Sequence, residues 1–135
     1  MKYYIINNAS RAAIYGIGTY VRQLTEMLKK SPSLQIFFID LYAEEKEFST
    51  VQDADGFTHF KIPIAYSRME DERYCRMVYY LLSPYLTDSE AAIFHFNYFQ
   101  HYPLALLLKA ISIHHRILLS VHYLNWCFKL NGNVM

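Results

Sequence analysis

A chain of 135 residues with 53% hydrophobic side chains has room for one domain with a buried core and is too apolar for a disordered tail. Thirteen basic and twelve acidic side chains leave a formal charge of +1, which excludes the basic footprint of a nucleic-acid binder. Cys75 and Cys127 stand far apart with no CxxC spacing, so neither a disulfide scaffold nor a zinc site is indicated, and a reducing, cytoplasmic setting is expected.

Residues 3–7 read as a short buried strand ending in polar Asn7-Asn8. This start is too short and polar for a signal peptide. A loop over residues 9–18 carries Arg11, Tyr15, Gly16 and Gly18. Residues 19–30 then predict a helix, with Tyr20, Val21, Leu24, Met27 and Leu28 on its apolar side. Thr19 is placed to cap it, and Lys29 and Lys30 suit the negative end of its dipole. Residues 34–42 predict a second strand. Its run Ile36-Phe37-Phe38-Ile39 lacks alternation, as in a strand covered on both faces. The charged stretch Glu44-Glu45-Lys46-Glu47 reads as a solvated connection.

Asp55-Gly56 is a turn signal, and residues 57–62 predict a third strand ended by Pro63. Residues 67–86 predict a long helix, with Tyr74, Met77, Val78, Leu81, Leu82 and Tyr85 as its stripe and Pro84 at its end or at a kink. The longest apolar run, residues 77–82, falls far short of the roughly 20 residues of a membrane span. Residues 92–96 predict a strand, Pro103 the first turn of a helix bearing Leu104, Leu107, Leu108 and Ile111, and residues 116–121 a last strand. Strands alternating with helices imply an α/β fold, a Rossmann-like parallel sheet of these five strands with helices on both faces. Ligands then bind beyond the carboxyl ends of the strands.

Three segments at those ends could carry chemistry. Tyr15-Gly16-Ile17-Gly18-Thr19 opens a helix, where glycines let backbone N–H groups approach an anion and the dipole favours negative charge. The dinucleotide fingerprint is not met, because Val21 stands where its third glycine belongs and the loop from Asn7 is too long. Asp40 does stand where that fingerprint places a ribose-binding acid, which leaves a nicotinamide-dependent enzyme half as one reading. A Walker loop is absent. Ile93-Phe94-His95-Phe96-Asn97-Tyr98-Phe99-Gln100-His101 gathers two histidines and two amides past a buried strand. They read either as a polar pocket rim or as strand-end groups satisfying backbone. Ser120-Val121-His122-Tyr123 ends the last strand with the same two readings for His122. The pair His114-His115 reads as surface, and no histidine has the companions of a metal site. Thirteen tyrosines and nine phenylalanines read mainly as packing.

In this order the three segments resemble the N-terminal domain of retaining GT-B glycosyltransferases of the group 1 or family 4 type, over nearly the whole chain. Gly16-Ile17-Gly18-Thr19-Tyr20-Val21 looks like the family's glycine loop and first helix. Ala92-Ile93-Phe94-His95-Phe96-Asn97 looks like its acid, apolar pair, histidine, apolar, histidine strand, with Ala91 or Ala92 at the acid and Asn97 at the second histidine. Ser120-Val121-His122-Tyr123 looks like its threonine-valine-histidine-aspartate strand end, with Tyr123 at the acid.

The resemblance implies the N-terminal half of a two-domain enzyme that transfers a sugar from a nucleotide-sugar with retention and no metal or other cofactor. It implies that Gly16, Ile17, Gly18 and Thr19 approach the donor diphosphate and that His122 contacts the transferring sugar as the catalytic residue. Asn8, Arg11, Tyr15, Asn97, Tyr98, His101 and Tyr123 would shape the side of a saccharide, lipid-linked or peptide acceptor. A lipid-linked acceptor would bring peripheral membrane contact.

Residues 1–135 are then expected to be an incomplete N-terminal domain, inactive alone, with the nucleotide-sugar-binding domain absent. Self-association through the exposed surface, with Trp126, Phe128 and Leu130 as contacts, is a further expectation. The rival reading is a stand-alone flavodoxin-like binding or regulatory module.

Overall fold

A computed structural model of the protein describes residues 1–8, 17–64, 71–86 and 90–120. β1 (Lys2–Asn8) lies at the centre of the sheet, and its apolar run is consumed on both faces. Tyr3 and Ile5 enter one apolar cluster, and Tyr4 and Ile6 the other. Around it stand β2 (Gln35–Ala43), β3 (Ser49–Gln52), β4 (Thr58–Pro63), β5 (Ala92–Phe96) and β6 (His115–Leu119), in the order β3-β4-β2-β1-β5-β6. β1 pairs in parallel with β2 and β5, β2 with β4, and β5 with β6. Among the described strands only β3 runs antiparallel, against β4.

The expected parallel sheet is present, with one strand more than the sequence indicated. β3 escaped notice because Ser49-Thr50-Val51-Gln52 is short and mostly exposed. As an edge strand it needs no apolar face of its own, so it leaves no periodic signal.

α1 (Ile17–Leu28) packs Val21 and Leu24 onto Tyr3, Ile5, Ile36 and Phe38. α2 (Asp71–Leu82) and α3 (Tyr102–Ile111) cover the opposite face, through Tyr74, Cys75, Val78 and Leu82 of α2 and Leu104 and Leu108 of α3. The aromatic richness has its use on that face. Tyr4 lies between Phe94 and Phe37 at centroid distances of 4.8 and 5.0 Å, stacked on both, and Phe60 continues the row 6.2 Å from Phe37. The parallel register sets Phe94, Tyr4 and Phe37 level across β5, β1 and β2, so like rings meet as cross-strand neighbours.

Several expectations need correction. Thr19 is no cap, because α1 already includes Ile17 and Gly18. Met27 is 60% exposed and lies off the buried stripe. The long helix, by contrast, ends where Pro84 predicted: α2 passes into a 3-10 turn (Ser83–Tyr85) that takes the proline, which cannot extend the α-helical ladder, while residues 67–70 of the expected helix lie outside the described residues. His115 is not surface. It is buried, with Nδ1 2.9 Å from the Leu108 carbonyl and its ring edge-on to Phe94, while His114 is exposed.

Pairing of β2 with β4 shifts register between Asp40 and Ala43, and Tyr42 adopts φ 58°. Strand alternation would send Tyr42 to the α1 face with Phe38 and Asp40. Instead its ring stacks on Tyr74 of α2 at 4.6 Å, and its backbone N–H donates to the Tyr74 hydroxyl at 2.9 Å. The left-handed conformation costs a non-glycine residue about 1–2 kcal/mol, and the stack and hydrogen bond hold it in place.

Candidate functional site

The chain leaves β1 toward β2 on one side and returns through α2 to β5 on the other. The switch of direction lies between β1 and β5, and their carboxyl ends flank the crevice where such sheets bind ligands. Several buried polar residues lie there.

Asn8 closes β1 and is buried, its backbone N–H donating to Asn7 Oδ1 at 3.0 Å. Asn97, the residue after β5, is also buried. Its amide Nδ2 donates to the Ile6 carbonyl at 3.1 Å and ties the exit of β5 to β1. Tyr98 packs into the α1-side core, and buried His101 lies against it at 6.0 Å and against Tyr42 at 5.6 Å.

Four elements meet in a chain of polar side chains that sequence reasoning did not assemble. Tyr3 of β1 places its hydroxyl 2.6 Å from His95 Nδ1 on β5. His95 Nε2 lies 2.5 Å from Ser120 Oγ beyond β6, and Ser120 Oγ lies 2.9 Å from the Tyr20 hydroxyl of α1. Ser120 is placed there by the ladder, since its N–H donates to the Phe96 carbonyl at 2.9 Å.

Burial, with Tyr20 nearby, pushes the Tyr3 phenol up to about 12. It therefore keeps its proton near neutrality, and the direction of its bond to Nδ1 is set by the imidazole tautomer. With the phenol donating to Nδ1, Nε2 carries the ring proton and donates to Ser120, and His95 orients Ser120 without acting as a base toward it. With the proton on Nδ1, the phenol accepts and Ser120 donates to Nε2. The sequence marked His95 but gave Tyr3, Tyr20 and Ser120 no sign of a link to it. None of the three has a partner until the sheet register is known.

Asp40 is the second polar centre at this edge. Its Oδ2 accepts from His59 Nδ1 at 2.7 Å and lies 3.1 Å from Lys61 Nζ. His59 Nε2 reaches Asp53 Oδ2 at 2.8 Å, and the imidazole stacks on Phe38 at 4.5 Å. Burial alone would lower the His59 pKa, but the two carboxylates reverse this and raise it above the ordinary value. Asp40 is thus compensated inside the sheet by cations from β4. A ribose-binding acid would instead hold its carboxylate open to a hydroxyl. His59 carried no signal in the sequence, because a lone histidine in a strand pattern names no partner.

Of the residues that the sequence nominated, Ile17, Gly18 and Thr19 form the first turn of α1. The Tyr20–Ser120 bond holds this turn beside the end of β6. Asn8, Asn97, Tyr98 and His101 come together around the ends of β1 and β5. Arg11, Tyr15, Gly16, His122 and Tyr123 lie outside the described residues, as do Trp126, Phe128 and Leu130. Among the described residues no group of three or more His, Cys, Asp or Glu side chains could hold a metal ion, and no helix is long and apolar enough to cross a membrane. No protein-family model, no curated protein and no solved structure matches the chain.

Proposed function

We propose that the chain is the acceptor-side, Rossmann-like part of a retaining, nucleotide-sugar-dependent glycosyltransferase. The observation that carries the reading is the Tyr20–Ser120 contact. It sets the first turn of α1 next to the end of β6, at the carboxyl edge of the sheet and one strand beyond the switch point. The two segments that the resemblance assigns to the donor, 16–19 and the one holding His122, therefore start from one place. Backbone N–H groups in the first turn of a helix suit a diphosphate. A hydrogen-bond donor at the neighbouring strand end suits the sugar attached to it. The anion would be held by backbone and helix dipole, and no metal is required of these residues. Buried Asn8, Asn97 and His101 give the adjoining acceptor side a fixed polar floor.

Two measurements test this. Saturation-transfer NMR on this chain, with a panel of saccharides, nucleotide-sugars and NAD, should show contact with a saccharide acceptor. Contact with NAD alone would overturn the reading. In a polypeptide that joins this chain to a donor-binding domain, His122→Ala should slow transfer by about 10²–10³, the usual cost of one transition-state hydrogen-bond donor, with an unchanged thermal midpoint. A destabilised variant with full turnover would make His122 a structural residue.

A further inference from the structure

The two helical layers present unlike surfaces to solvent. The outward side of α1 is mostly polar, with Thr19, Arg22, Gln23 and Glu26 exposed. On α3 the outward row is apolar. Tyr102 is 60% and Leu106 66% exposed, Ala110 follows one turn on, and Ile113 in the turn after α3 is 84% exposed. The inner row, Leu104 and Leu108, is fully buried, so α3 is apolar on both sides.

Burial in its own sheet accounts for only one of those rows. α2 and α3 both return between parallel strands, so they run side by side in the same direction. Glu72 and Arg76 of α2 line a cleft of about 370 Å³ with Tyr102, Pro103, Leu106 and Leu107. Tyr80, one turn beyond Arg76 and 74% exposed, continues the same row.

We propose that this outer face of α2 and α3 is the contact between two copies of the chain, related by a two-fold axis with one α3 stripe laid across the other. Three observations select a second copy as the occupant. The first is area. At the stated exposures Tyr80, Tyr102, Leu106 and Ile113 present roughly 500–600 Å² of side-chain surface, at the upper limit for a monomer. Doubled by symmetry, and with Arg76, Pro103 and Ala110 at its margin, the face reaches the roughly 1,200 Å² at which specific interfaces begin.

The second is charge. Arg76 is paired with Glu72 at 2.6 Å, and Lys109 Nζ is turned back onto the His115 carbonyl at 2.8 Å. The apolar stripe itself carries no charged side chain, and exposed Arg73 and Lys109 only flank it, so apolar contact is what it offers an identical surface. The third is shape. Residues 102, 106 and 110 are spaced by four and form one ridge, with small Ala110 admitting close approach, which suits ridge-into-groove packing of two like helices. The two exposed tyrosines, Tyr80 and Tyr102, also match the aromatic enrichment of interface cores. The inference does not depend on the glycosyltransferase reading: the face begins at Tyr102, next to His101 at the carboxyl edge of the sheet, and runs away from that edge along α3 to Ile113.

Sedimentation velocity and light scattering over a concentration series test it. The wild-type chain should show a reversible monomer–dimer equilibrium. Leu106→Glu and Ile113→Glu should each weaken it by about 30-fold or more, as expected for central contacts. Both sites are exposed, so far-UV circular dichroism and the monomer's thermal midpoint should stay unchanged. Val51→Glu on β3, also exposed, should leave the dimer intact. A monomer at every concentration, or a dimer indifferent to both substitutions, would overturn the proposal. So would a monomer that cosediments with phosphatidylglycerol vesicles through Leu106, since the face would then serve a membrane.

Discussion

Replacing His59 by leucine tests how the edge of the sheet is held. The substitution keeps an apolar contact with Phe38 and removes both ring nitrogens. The bond to Asp40, at 2.7 Å with that carboxylate only 7% exposed, is charge-assisted and largely screened from water, and is worth about 1.5–3 kcal/mol. The bond to Asp53, at 2.8 Å, ends on a side chain 33% exposed, so solvent discounts it to about 0.5–1 kcal/mol. Asp40 keeps Lys61 at 3.1 Å, which limits the penalty of an unpaired buried charge. The expected loss near pH 6 is about 2–4 kcal/mol, or a fall of about 6–15 °C in thermal midpoint.

The pH profile is the sharper readout. Because folding raises the His59 pKa, its contribution is complete below the unfolded value of about 6.5 and is lost as pH climbs through the raised folded value. Asp53, held below its ordinary value by His59 and by backbone N–H groups against the opposing effect of burial, acts oppositely. Its contribution stands above about pH 4 and fades as pH falls through the lowered value. Wild-type stability, from urea denaturation at a series of pH values, should therefore decline above about pH 6.5, with a slope of at most about 1.4 kcal/mol per pH unit for the one proton. In His59→Leu the alkaline decline attributable to this proton should vanish. An undiminished decline in the variant would mean that the imidazolium clamp is not what holds β3 and β4 to β2.

Two further substitutions probe the carboxyl edge. At Tyr42 the left-handed backbone should invert the usual order of alanine and glycine. Both variants lose the stack on Tyr74, but Tyr42→Gly sheds the strain and should be about 1 kcal/mol more stable than Tyr42→Ala by urea denaturation; equal stabilities would remove the claim of strain. In the polar chain, His95→Leu leaves the buried Tyr3 hydroxyl without its ring partner and should cost about 1–3 kcal/mol. Adding Tyr3→Phe should recover part of that, so a double-mutant cycle should show coupling of about 1 kcal/mol; strict additivity would argue against the bond.

The sequence by itself determined the fold class and most of its elements. Unbroken apolar runs such as Ile36-Phe37-Phe38-Ile39 are local signals of a strand covered twice, and the spacing of Tyr74, Val78 and Leu82 is a local signal of a helix with one buried side. Burial with a fixed period writes itself into consecutive residues. Three of the residues that the sequence nominated, Asn8, Asn97 and His101, lie at the ends of β1 and β5.

Only the tertiary structure decided who meets whom. Tyr3, His95, Ser120 and Tyr20 come from four elements, and the register of β1, β5 and β6 turns them into one hydrogen-bonded chain. Asp40 looked like a ligand-binding acid until β4 brought His59 and Lys61 to it. The orientation of Tyr42 followed from a register shift between two strands and a hydroxyl on α2, against the alternation of its own strand. The outward apolar row of α3, Tyr102 and Leu106, stands apart from the face that the sequence marked with Leu104 and Leu108. Periodicity records that a residue is apolar, whereas which face the sheet covers depends on where every other element has packed.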